Sequence, residues 1–338
     1  LIKLGALGDV LRTTPLLTAF QKKYPNARIT WMVDPAHASV LKGNRLIHEL
    51  LEYSEDSLAY LKNISFDQAI NLDKEEEALT AMETARANKK MGFGRDKNGT
   101  LKALDVLSEY AYRLGIDDEL KFRQNQKSYQ EISFEQAGLI FKKEEYLFDL
   151  DSDSLDFADK HLRRLGIFSG SDRPLVGLNT GSGTRFAGKK LPAETWAALA
   201  DKFYLDSGAT VLLLGGKDEI ERNARIAALA KYPVVQTGSH SIQRFAALVR
   251  ACRVVLSGDT TAMHIAIAVK TPVIAYFAST CAPEIELYGR GKKIVSGIDC
   301  APCYKKICPI NEKCMTDFEA EPLYQAALEY LKSEAVRG

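Results

Sequence analysis

From Leu175 onward, short apolar runs alternate with amphipathic stretches, and this alternation constrains the fold more than any other feature of the chain. Leu175-Val176-Gly177-Leu178, Val211-Leu212-Leu213-Leu214, Val234-Val235, Val254-Val255-Leu256 and the run from Val273 to Phe277 read as strands. Helical patterns fill the gaps. Pro192 opens one at its first position, where a missing N–H costs nothing. Trp196, Leu199, Ala200 and Phe203 follow at i, i+3, i+4 and i+7 on one apolar face. Further helices are expected over 219–230, 241–251 and 262–268. Strands bounded by Gly and Pro and separated by helices describe a Rossmann-like domain with a mainly parallel sheet.

The first half repeats the scheme less clearly. Strands are expected over 1–4, 28–33, 47–51 and 66–72. Residues 73–90, rich in Glu, Lys and Ala, read as an exposed helix. The segment 94–130 is polar and poor in β-branched residues, so little sheet is expected there. Pro15 should break the first helix after Thr14. The Asp-Ser-Asp-Ser run at 151–154 reads as a linker, followed by a helix over 155–165. At 338 residues the chain is long enough for two domains. The fold class read here is α/β, with two Rossmann-like doubly wound domains facing a central cleft. The domains are expected at 1–153 and 154–321, with a C-terminal helix over 322–338 packing back on the first domain. Ligands of such sheets bind at the carboxyl ends of the strands.

Composition is ordinary for a globular chain: 46% apolar, 26% charged, formal net charge +1. That excludes a disordered chain and a polybasic nucleic-acid binder. No apolar run is long enough to span a membrane and no secretory leader is visible. The chain opens without Met, at Leu1-Ile2-Lys3-Leu4, as if a strand were already under way, so upstream residues are expected.

Three loops carry candidate chemistry. Gly5-Ala6-Leu7-Gly8-Asp9 lies between a strand and a helix. Its glycines permit a tight turn, and Asp9 stands at the ligand edge, where it serves equally as a helix cap. Asn179-Thr180-Gly181-Ser182-Gly183-Thr184, then Lys189-Lys190-Leu191-Pro192, combines backbone N–H groups, hydroxyls and lysine charge, which suits a diphosphate. It lacks the Gly-Lys-Ser/Thr that closes a P-loop. Ser257-Gly258-Asp259-Thr260-Thr261-Ala262-Met263-His264 runs from a strand into a small-residue helix whose free N–H groups favour an anion.

Taken in order, Lys3 to Leu11, Lys189-Lys190-Leu191-Pro192, and Gly258-Asp259-Thr260 through His264 resemble the ADP-heptose:lipopolysaccharide heptosyltransferase family, glycosyltransferase family 9 with the GT-B fold. The resemblance covers nearly the whole chain. It implies an inverting transferase that moves heptose from ADP-L-glycero-β-D-manno-heptose to a sugar hydroxyl of the lipopolysaccharide core. The first domain would then bind acceptor and the second ADP-sugar. Asp9 is the implied general base and Lys189 the implied cation at the donor phosphates, with Lys190 its neighbouring alternative. Thr180, Ser182, Thr184, Glu219 (or Glu221), Asp259, Thr260, Thr261 and His264 are the implied donor contacts. Leu191 stands where the family has Trp, and Thr261 where it has Gly. Gly8 and Arg12 are the candidate acceptor contacts, with Lys89, Lys90 and Arg95 as further candidates for an anionic acceptor. The enzyme would be cytoplasmic, peripheral at most on the inner membrane face, with no nucleic-acid partner. Rival readings are a relative acting on a protein or another glycan, a GT-B nucleotide-sugar epimerase, and a nucleotide-sugar-binding module without catalysis.

Cys300-x2-Cys303-x4-Cys308-x5-Cys314 can close around one tetrahedral zinc or iron, with Lys305 and Lys306 helping to hold thiolate charge. Reduced thiols and adventitious disulfides are the alternatives. Some related protein heptosyltransferases hold iron in such a knuckle. The role expected here is a structural staple, and no cofactor is expected to be required for catalysis.

Overall fold

Strand pairing divides the molecule along the line of its two halves. The computed structural model describes residues 1–168, 173–183, 186 and 188–332. One unit is Leu1–Asp149 with Pro283–Glu286, the other Leu150–Ala282 with Leu287–Gly338. No described helix is long and apolar enough to cross a membrane.

In the first unit, β1 (Thr30–Val33) pairs in parallel with β2 (Glu49–Glu52). Likewise β3 (Ser65–Asn71) pairs in parallel with β4 (Arg86–Arg95), and β5 (Leu101–Ala103) runs antiparallel to β4. The expected strand over 1–4 is reduced to one bridging residue. Ile2 bridges Met32 on one side and Asn71 on the other, both in parallel, and so joins the two sheets. The expected long exposed helix over 73–90 is corrected. A helix occupies only Glu76–Thr84, buries Ala78, Leu79, Ala81 and Met82, and gives way to β4. The strand was hidden because only Met91–Gly94 of it are buried, while Arg86, Asn88 and Lys89 face solvent. Pro15 acts as expected: one helix covers Leu7–Thr13, and a second starts at Pro15 and runs to Lys23.

The second unit is one parallel sheet of β6 (Leu175–Asn179), β7 (Thr210–Leu214), β8 (Val234–Gln236), β9 (Val254–Gly258), β10 (Val273–Phe277) and β11 (Gly291–Val295). Their order is β11-β10-β9-β6-β7-β8. The chain starts in the middle at β6, winds outward through β7 and β8, then returns beside β6 at β9. The order therefore reverses between β6 and β9, and ligands of open parallel sheets bind outside the carboxyl ends at such a point. Trp196, Phe203, Leu213 and Tyr276 fill the core on one face, and truncating a buried Trp like this to Ala costs about 3–5 kcal/mol.

One expectation fails here. Asp151-Ser152-Asp153-Ser154 is no linker but a helix start: Asp151 caps Ser152–Arg164 by accepting the Ser154 N–H at 2.6 Å. The last helix is described over Glu321–Lys332, and it buries Leu323, Tyr324, Ala326 and Ala327 in the core of the second unit.

Candidate functional site

Two polar edges collect the sequence-predicted residues, one in each unit. In the first unit the extended segment around Ile2 ends at Gly5, and Ala6 caps the Leu7–Thr13 helix. Asp9 is the third helical residue. Its Oδ2 accepts the Ala6 N–H at 3.2 Å, so it does cap the helix. Its Oδ1 meets Arg12 Nη2 at 2.8 Å. The Asp9 side chain keeps 29% exposure, which leaves it reachable from solvent. Gly8 is buried within the helix. Beneath this turn lies an ion pair that motif reading missed. Lys3 and Asp73 are joined by a short contact, and both are buried. Asp73 Oδ2 also accepts the Leu4 N–H at 2.6 Å and the Gly5 N–H at 3.3 Å, while Lys3 Nζ donates to Gly5 O at 2.7 Å. Burial opposes the Lys3 charge, but Tyr129, Asp73 and Asp9 outweigh it and hold the ammonium above its ordinary range. The loop that presents Asp9 is thus pinned from below by a charge pair brought in from the end of β3.

Other basic candidates of this unit are committed elsewhere. Arg95 pairs with Glu76 and with Glu83, the latter at 2.6 Å. Lys90 Nζ donates to the Met82 and Glu83 carbonyls. Both therefore tie β4 to the neighbouring helix, and only Lys89 among the three is exposed.

The second unit gathers three strand ends. Asn179, the last residue of β6, donates from Nδ2 to Gly181 O (3.1 Å), Ser257 Oγ (3.1 Å) and Thr260 Oγ1 (3.2 Å). One amide thus ties the Gly/Ser loop to the loop after β9, across the reversal point. Thr180 is fully buried, with its hydroxyl bonded to Asn223 at 2.5 Å, so it shapes the loop from inside. Ser182 is nearly buried and donates to Gly183 O at 3.3 Å. Thr184 lies outside the described residues. Glu219 Oε2 accepts the Gly216 N–H at 2.8 Å, and a Cβ at Gly181 would overlap the Glu219 carboxylate. Only glycine lets this carboxylate lie against the loop after β6. Glu221, its alternative, is exposed and lines an outer cavity with Pro192, Glu194, Arg222 and Arg225.

Charge is held loosely at this edge. Lys189 Nζ stands 3.8 Å from Asp259 Oδ2, and His264 Nε2 stands 4.0 Å from Asp259 Oδ1. Lys189 and Asp259 side chains are 16% and 21% exposed, whereas His264 is buried. The Lys189 backbone is fixed by the buried Tyr276 hydroxyl, which donates to its carbonyl at 3.2 Å. Lys190 is half-buried. Thr260 caps the Thr261–Ala268 helix with extended backbone. Its first N–H groups and the Lys189 ammonium form a positive edge suited to phosphate oxygens. Asn223, Ser257, Tyr276 and Arg222, whose Nε donates to Thr180 O at 2.9 Å, were missed as supports. Asn179 and Ser257 open the motif loops, which is the only sequence signal they give.

The four clustered cysteines are all free thiols. Burial, then Cys308, Cys300 and Cys303, pushes the Cys314 thiol up to about 11. Among the described residues no group of three or more His, Cys, Asp or Glu is arranged to hold a metal. No chemistry is routed through the cysteines.

Comparison with known proteins places the chain in a family. The profile of glycosyltransferase family 9 (heptosyltransferase) matches residues 58–314. Lipopolysaccharide heptosyltransferase 1 of Pseudomonas aeruginosa is 26% identical over 327 residues, covering 91% of this chain and 86% of that protein. A glycosyl transferase family 9 structure from Veillonella parvula superposes with a TM-score of 0.77 at 20% identity, over 98% of this chain and 95% of that one. Heptosyltransferase WaaC of Escherichia coli, solved with ADP, gives 0.65 at 18% identity over 97% and 98%. The structural likeness carries the fold: two Rossmann-like units of the GT-B class.

Proposed function

Because the chain belongs to glycosyltransferase family 9, the heptosyltransferases, we propose that it moves heptose from ADP-L-glycero-β-D-manno-heptose to a sugar hydroxyl of the lipopolysaccharide core, with inversion. The observation that carries the reading is the division of chemistry between the two edges. One presents an accessible carboxylate on a pinned loop. The other presents a weakly paired lysine beside a helix N-terminus. Asp9 takes the proton of the attacking hydroxyl as the new glycosidic bond forms, a contribution of about 10²–10⁴-fold. The anomeric carbon–oxygen bond to ADP breaks on the opposite face. Lys189 and the N–H groups at Thr261 stabilise the phosphate charge that develops. An ADP phosphate replaces Asp259 as the partner of Lys189, and at 3.8 Å there is little ion-pair energy to lose. Glu219 and Ser182 hold the nucleotide from the loops after β7 and β6.

Support for the donor comes from the Escherichia coli relative solved with ADP, and for the acceptor from the name of the Pseudomonas aeruginosa relative. A lipid-borne acceptor puts the enzyme in the cytoplasm, working peripherally at the inner membrane face. The test is ADP release from ADP-heptose with and without a heptose-deficient lipopolysaccharide, followed by NMR of the new linkage. Acceptor-dependent release and an α-linked product are expected. Release without acceptor, or a β-linked product, overturns the reading.

A further inference from the structure

The sequence offered Arg12 as an acceptor contact, yet its guanidinium is already engaged. On the Leu7–Thr13 helix, Arg12 follows Asp9 by three residues, and Arg12 Nη2 lies 2.8 Å from Asp9 Oδ1. Its Cζ sits 3.7 Å from the centroid of the Tyr129 ring. Tyr129 opens the Tyr129–Gln136 helix, which Ser128 and Glu131 cap reciprocally. Its N–H donates to Glu284 O at 2.9 Å, so the ring is held from the Pro283–Glu286 segment of the same unit. Gln130 Nε2 donates to Arg12 O at 3.1 Å and to Tyr146 Oη at 3.1 Å. Thr13 Oγ1 donates to Asp9 O at 2.7 Å and lies 3.4 Å from Tyr129 Oη. Two helices more than a hundred residues apart thus clamp one guanidinium against one carboxylate.

We propose that Arg12 is a positioning residue: stacked on Tyr129, it keeps the Asp9 carboxylate ionised and fixed in orientation, and it does not contact the acceptor. The proposal rests on Asp9 being the general base. Arg12 Nε is buried with no hydrogen-bond partner among the described residues, while Nη2 meets Asp9 and the guanidinium lies over the Tyr129 ring. A planar guanidinium can stack on the ring and reach the carboxylate together; a lysine keeps only the charge. Burial works against the Arg12 charge, but Asp9, Tyr129, Glu284 and Tyr146 more than offset it. The same attraction favours the ionised form of Asp9. The other groups acting here are Lys3, paired with Asp73, and the two tyrosines and Glu284 already named. Lys3 therefore remains as a second cation when Arg12 is removed.

The test compares wild type with Arg12→Met, Arg12→Lys, Tyr129→Leu and Asp9→Asn in acceptor-dependent ADP release. The ¹³C titration of the Asp9 carboxyl, assigned by its loss in Asp9→Asn, is followed in parallel. Arg12→Met is expected to lower kcat about tenfold or more, leave the acceptor KM within about twofold, and move the acid limb and the carboxyl titration up by about one pH unit. Arg12→Lys should return the titration toward wild type while kcat stays low. Tyr129→Leu should lower kcat with a smaller shift. A raised acceptor KM with unchanged kcat and titration in Arg12→Met makes Arg12 an acceptor contact and overturns the proposal. Full turnover in Asp9→Asn overturns the base reading itself, and the positioning claim with it. If Asp9→Asn is inactive but Arg12→Met titrates like wild type, the positioning claim alone falls. Should Arg12→Met fail to fold, Arg12→Lys and Tyr129→Leu carry the same comparison, and wild-type kcat in both overturns it.

Discussion

The two polar edges use opposite electrostatic arrangements. In the first unit the charges are close-paired: Lys3 with Asp73 in the interior, and Arg12 with Asp9 at 2.8 Å. In the second, neutral amides and hydroxyls form the framework through Asn179, Ser257 and Thr260. Lys189 and His264 stand 3.8 and 4.0 Å from Asp259, beyond hydrogen-bond reach. Tight pairs fix the geometry and protonation of a carboxylate. Loose pairs leave a cation that an anionic ligand can claim at small cost. On the proposed reading, one edge holds the base and the other receives phosphate.

The sharpest way to break that comparison is catalytic. Asp9→Asn is expected to lower kcat by about 10²–10⁴-fold, read in steady-state ADP release. Near-wild-type turnover removes Asp9 from the mechanism. Stability should divide the edges next. Asp73→Asn strands a buried lysine and should cost about 3–5 kcal/mol in urea unfolding. Asp259→Asn breaks only long, partly exposed contacts and should cost under about 1 kcal/mol. Equal losses would mean the two edges are not electrostatically different. Gly181→Ala pushes a methyl into the Glu219 carboxylate, an overpacking worth about 1–3 kcal/mol, and should weaken ADP about tenfold or more. Unchanged ADP affinity would detach Glu219 and its loop from the donor.

A further effect concerns a charge without a tight partner. Lys74, after β3, donates to Ala111 O at 3.1 Å and lies over Phe93. Burial, then Lys121, pushes its ammonium down to about 8 from 10.5. Between those two pH values the unfolded chain binds the extra proton, so stability rises with pH across the window; below about 8 the cost is fully present. Lys74→Met should be the more stable at pH 7, and its advantage should shrink as pH rises from 8 to 10. A constant difference over that range would contradict the assignment.

Legibility in the sequence follows the same division. The strands of the second unit were visible because buried parallel strands read as unbroken apolar runs. β4 and β11 were not. The first half of β4 is polar, and β11, Gly-Lys-Lys-Ile-Val at the sheet edge, exposes both lysines. The loops carrying Asp9, Lys189 and Asp259 were visible because glycines, hydroxyls and charges cluster locally after a strand. Their supports were invisible because each crosses long stretches of chain: Asp73 to Lys3, Asn223 to Thr180, Tyr129 to Arg12. Cysteine spacing announces a metal knuckle, and in the fold the Cys308, Cys300 and Cys303 thiols act together on Cys314.

Calorimetric titration of ADP into Asp9→Asn and Lys189→Ala, side by side with wild type, tests the central claim most directly. Asp9→Asn should bind ADP as wild type does. Lys189→Ala should bind about ten- to a hundredfold more weakly, the worth of a charge-assisted phosphate contact. Equal affinities in all three proteins, or a loss confined to Asp9→Asn, would contradict the division of base and donor between the two edges.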